Sequence, residues 1–84
     1  MKLHERIEQI KSKEDLADFV SALSASLVDT PDRWENPTLE RFLSAMEEWI
    51  RGMDGYFKNT GQEPVTNPTW KTFAQILYAS KIYE

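Results

Sequence analysis

The chain has no cysteine, one histidine and three glycines in 84 residues, and each shortage closes off a chemistry. Without cysteine there is no disulfide, no thiolate metal site and no cysteine nucleophile. His4 stands among charged residues near the start, with no second histidine to build a zinc or di-iron helix motif. Gly52, Gly55 and Gly61 fit neither phosphate-cradling spacing. Asp29 to Glu40 has the ends of a twelve-residue calcium loop, but Pro31 and Arg33 stand where oxygen ligands belong and Trp34 where glycine is needed. No metal and no cofactor are therefore expected. No apolar run approaches a membrane span, and Met1 to Arg6 opens on charge rather than on a signal peptide's apolar stretch, so a cytoplasmic chain is expected. Basic residues are also few. Ten against fourteen acidic give a net charge of −4, with −3 up to Phe42 and −1 beyond it. That leaves no basic patch for a phosphate backbone, and nucleic acid is not an expected partner.

What the chain does have is apolar and aromatic surface. Hydrophobic residues make up 40% and charged residues 29%, the balance of a folded chain rather than a disordered one. This length suits a single helical domain over 1–84, whose folded surface scales to about 5,200 Å². Ten residues are aromatic, and seven of them lie beyond Phe42.

Four segments carry helical periodicity and none carries sustained strand alternation, so the expected fold is an all-α bundle of about four helices. Leu3, Ile7 and Ile10 mark a short first helix that needs tertiary support. Ser12 with Asp15 three residues on caps the second, whose stripe is Leu16, Phe19, Val20, Leu23 and Leu27, and Pro31 ends it. Asn36-Pro37-Thr38-Leu39 offers an N-cap followed by proline at the first helical position. The third helix then presents Leu39, Phe42, Leu43, Met46, Trp49, Ile50, Met53 and Phe57 within about 120° of arc. Glu47 to Arg51 and Asp54 to Lys58 are acid-first ion pairs on its other face. Gly61 is its stop, and Gln62 to Thr66 form a linker containing Pro64. Asn67-Pro68-Thr69-Trp70 repeats the same opening for a fourth helix over about Pro68 to Ile82. That helix is apolar nearly all round and is expected to be largely enclosed. Trp34, Trp49 and Trp70 are placed to knit the helices together.

The stretch from Arg51 to Asn59 fits helix logic least well, since each of two glycines inside a helix costs roughly 1 kcal/mol against alanine. Gly52 lies between Trp49 and Tyr56 on one stripe, which predicts either a close helix contact or a shallow aromatic notch. Gly55 falls on the polar side and suggests a break near Asp54 that would redirect the residues after it. The candidate recognition surface is accordingly Trp49, Gly52, Asp54, Gly55, Tyr56, Lys58 and Asn59.

Trp34-Glu35-Asn36, Met46-x-x-Trp49, Met53 to Asn59, Pro68-x-Trp70-x-x-Phe73-Ala74-x-Ile76-Leu77 and the closing Tyr83-Glu84 form an ordered set. Over Asp15 to Glu84 this set resembles a family of short, uncharacterised bacterial proteins, a domain of unknown function. The resemblance implies a bacterial, soluble, free-standing domain and assigns no catalytic role to any residue. Phe57 stands where that pattern often has tyrosine.

No catalytic constellation emerges from the residues. The expectation is a non-enzymatic protein-interaction module of accessory, immunity-type or regulatory kind, engaging an unknown protein partner or a second copy through the C-terminal helix. The alternative is a small-molecule binding domain or minor enzyme using the notch around Trp49, Gly52 and Tyr56.

Overall fold

In the computed structural model, which describes residues 2–63 and 67–83, four helices run in the order α1 (Leu3–Ile7), α2 (Lys13–Asp29), α3 (Leu39–Asn59) and α4 (Trp70–Ile82). A 3-10 turn, Pro31–Arg33, follows α2. The bundle is all-α among the described residues, and its first helix is short, as the periodicity predicts. Pro64 to Thr66 of the expected linker, and Glu84, lie outside the described residues.

Local chemistry accounts for the boundaries. Ser12 Oγ accepts from the Asp15 backbone N–H at 3.1 Å, while the Asp15 carboxylate reaches back to the Lys11 N–H at 3.0 Å. Thr38, not Asn36, caps α3, its hydroxyl accepting from the Arg41 N–H at 3.2 Å. Thr69, not Asn67, caps α4 in the same way through the Thr72 N–H. Both helices therefore start two residues later than the Asn-Pro pairs suggest, and the prolines precede the first turn. Threonine oxygen fills the cap at both starts, which frees the asparagine. Asn36 is buried and serves the far end of the fold instead: its amide donates to the carbonyls of Ser80 and Tyr83, and its backbone N–H donates to that of Lys81. The final turn of α4 is thus closed by the chain that leads into α3.

α3 runs unbroken through Gly55, contrary to the expected break there. Gly61 ends it at φ +76°, with the Gly61 N–H on the Lys58 carbonyl and the Gln62 N–H on the Phe57 carbonyl. This left-handed position closes the helix in a Schellman turn. The Glu47–Arg51 pair forms at 3.0 Å, whereas Asp54 and Lys58 make no ion pair among the described residues.

α4 is the centre of the arrangement, touching α1, α2 and α3, whereas α3 packs against no described helix other than α4. The larger apolar cluster joins Ile7, Ile10, Phe19, Leu23, Trp34 and Ala74, and the second joins Trp49, Phe57 and Ala79. Trp34 knits as expected, stacking near Phe42 at 5.9 Å and donating its ring N–H to Ser26 Oγ at 3.2 Å. Trp70 does not, since it stays 44% exposed beside Phe73. Val20 of the α2 stripe is exposed as well.

The packed face of α3 also differs from the expected one. Ala45, Trp49 and Phe57 are buried, while Leu39, Leu43 and Ile50 are 73%, 51% and 43% exposed. At 100° per residue, Ala45 and Trp49 lie about 100° and 60° to one side of the middle of the apolar stripe, whereas Phe57 lies about 20° to the other. The residues buried on α4 are Thr72, Ala74, Ala79 and Ser80, all of them small. Small side chains allow close approach. The accessible surface, 5945 Å², is about 15% above the scaling expectation for this mass, in keeping with the apolar groups left outside.

Candidate functional site

Where α1 and α3 flank α4, the fold leaves a cleft of about 570 Å³. α3 contributes Trp49, Gly52 and Tyr56, one helical stripe at spacings of three and four. Gly52 meets no helix: a Cβ built on it would touch nothing within 4 Å. The close-contact expectation for this glycine is corrected, and the space beside it belongs to the cleft. Trp49 and Tyr56 flank it with ring centroids 5.6 Å apart and planes inclined by 53°. Phe57 packs edge-on against both rings and holds their orientation from the core side.

The opposite wall is α4, with Gln75, Tyr78, Ala79 and Ile82 at helical spacing and Tyr83 just beyond. α1 closes one end through His4, Ile7 and Glu8. Ile7 anchors that helix in the larger cluster, and Glu8 Oε2 accepts from Lys71 Nζ of α4 at 2.7 Å. The His4 ring tilts toward Tyr78 at 6.5 Å. Gln62, carried by the Schellman turn, completes the lining.

Of the seven residues expected to form a recognition surface, three line the cleft together and four do not. Asp54 and Lys58 project about 140° and 180° round α3 from Trp49. Gly55 and Asn59 are also exposed outside the cleft. The walls from α1 and α4 escaped the sequence reading. The pattern 75, 78, 79 and 82 does mark a helix face, but only packing shows what that face meets.

Behind Tyr78, the Lys81 ammonium lies 5.7 Å from that ring and 5.6 Å from Trp34. Burial, with the Arg33 charge nearby, holds its pKa below the ordinary 10.5, while the two rings favour the charged form. A second, smaller depression between α1 and α2 is lined by Arg6, Asp15 and Asp18. Among the described residues no three His, Asp or Glu side chains gather into a metal-holding group, and no helix is long and apolar enough to cross a membrane.

The chain belongs to a family of unknown function (DUF7660), whose family model matches residues 12–84. α1 lies outside that stretch, so the family's part of the cleft is its α3 and α4 walls. No curated protein and no solved structure matches the chain.

Proposed function

We propose that this chain is a soluble, cytoplasmic bacterial domain that acts by contact, a non-enzymatic interaction module of accessory, immunity-type or regulatory kind. The observation that carries the reading is the apolar row of Leu39, Leu43 and Ile50, left exposed on the longest helix. These three residues fall within about 40° of arc. Aligned exposed apolar side chains of this kind are a feature of protein contacts rather than of inert surface. The Trp70–Phe73 pair offers a second such surface on the C-terminal helix, where self-association was expected from the sequence. The test is capture from native host lysate at two salt concentrations, run in parallel with light scattering across a concentration series. A partner, or a second copy, retained at high salt by the native chain and lost by Leu43→Glu supports the reading. A strict monomer whose retained proteins are the same with and without Leu43→Glu overturns it.

A second reading, small-molecule binding, is favoured by the cleft that Trp49, Gly52 and Tyr56 share with α1 and α4. It predicts ligand-dependent thermal stabilisation in a metabolite screen. Tyr56→Ala abolishes that stabilisation without unfolding the chain.

A further inference from the structure

We infer that the cleft takes an uncharged, planar heteroaromatic ring of the nucleobase class, an assignment that rests on the small-molecule reading. Its volume, about 570 Å³, lies within the 300–1,000 Å³ range of small-ligand sites. Shape comes first. Trp49 and Tyr56 are splayed rather than stacked, and between them Gly52 presents bare helix backbone with nothing within 4 Å of a built Cβ. Because the two rings already touch, a flat ring lies not between them but over Gly52 against the cleft side of the pair, whereas a bulky aliphatic ligand would forgo that contact.

Charge decides the next point. Among the described residues Glu8 is the one acidic residue in the lining, and its Oε2 is already matched by Lys71 Nζ. Among the described residues no Lys or Arg lines the cleft; Lys71 is engaged by Glu8, and Lys81 lies over Trp34 and Tyr78. A phosphate or carboxylate would meet only the His4 imidazole and a lysine already paired with Glu8, so a neutral ligand is favoured over an anionic one.

Hydrogen bonding narrows the class further. Gln62 Nε2 donates to Thr60 Oγ1 at 3.0 Å, and its carbonyl oxygen accepts no bond among the described residues. Gln75 uses neither end of its amide in a side-chain bond among the described residues. A primary amide pairs a donor with an acceptor in one plane, the arrangement that reads the edge of a base such as adenine.

The experiment is amide and indole NMR titration of the full chain with adenine, adenosine, AMP and cyclohexanol. Adenine and adenosine are expected to give saturable shifts at the Gly52 amide and the Trp49 indole, with AMP weaker than adenosine. Tyr56→Ala and Gln75→Leu should each weaken adenine about fivefold, the scale of one lost contact or hydrogen bond. The unfolding midpoint serves as the check on the fold. Equal binding of AMP and adenosine, or no change in adenine affinity with Gln75→Leu, overturns the assignment. If cyclohexanol binds at the same signals as tightly as adenine, the heteroaromatic assignment falls while the ligand-binding reading survives. If no probe gives a saturable shift, both fall.

Discussion

The side-chain amide of Asn36 donates to the carbonyl oxygen of Tyr83 at 2.7 Å, across 47 positions of sequence. The same amide holds the Ser80 carbonyl at 3.0 Å, so one buried side chain satisfies two acceptors at the end of α4 from the segment that begins α3. Helix ends carry carbonyls without intrahelical partners, and those buried from water need a donor. Asn36 is that donor.

Asn36→Leu keeps the volume and removes both donors. The expected loss is about 1–3 kcal/mol, the cost of leaving a buried polar group unsatisfied. Asn36→Asp should lose at least as much, because an ionised carboxylate offers only acceptors to the two carbonyls. Urea unfolding of both variants measures it, and a change within about 0.5 kcal/mol, the range of ordinary surface substitutions, would show that the contact contributes little.

The glycines should respond with opposite signs. At Gly52 a Cβ has open space and the backbone is helical, so Gly52→Ala should stabilise by about 0.5–1 kcal/mol. At Gly61 the space is equally open but φ is +76°, so Gly61→Ala should destabilise by about 1 kcal/mol. Chemical denaturation of the pair separates a conformational requirement from a spatial one.

How far the sequence could be read follows from where its signals lie. Helix number, the Ser12 cap, the Gly61 stop and the stripe of Trp49, Gly52 and Tyr56 are local, and they were legible. The orientation of α3 was not. Leu39, Leu43 and Ile50 carry most of the hydrophobic signal on one edge of the stripe, yet they stay exposed while the small Ala45, Ala74, Ala79 and Ser80 are buried. Small residues add little to an apolar pattern and much to helix approach. Asn36 was misread for a related reason. An asparagine before a proline looks like a cap, and only the arrival of α4 reveals a long-range donor.

Substitutions on α3 should separate its exposed apolar row from its buried positions. Leu43→Glu is expected to change stability by no more than about 0.5 kcal/mol, since half of the side chain is already in water. Phe57→Ala, at a site 2% exposed, should cost about 3–5 kcal/mol. Thermal unfolding of the two variants checks which part of the α3 stripe is buried.

Lys81 supplies a pH dependence. Burial and the nearby Arg33 lower its pKa in the folded state, so the folded chain releases this proton more readily than the unfolded chain does. The charged group therefore carries a stability penalty, present in full below the folded pKa and relieved as pH rises toward the ordinary 10.5. Lys81→Met removes the titration. The stability of the variant minus that of the native chain should fall as pH climbs toward that value, measured by urea unfolding at matched ionic strength. A flat or rising difference would contradict the direction.

The central place of α4 governs the order in which the fold can be assembled on the ribosome. A chain emerges from its N-terminus, so α1, α2 and α3 are all made before the one helix that α3 packs against. Until Trp70 to Tyr83 have emerged, α3 has no helical partner and the Asn36 amide has neither of its carbonyls. Native closure of the bundle must therefore wait for its last helix, leaving the apolar face of α3 as nascent surface open to chaperones throughout that interval.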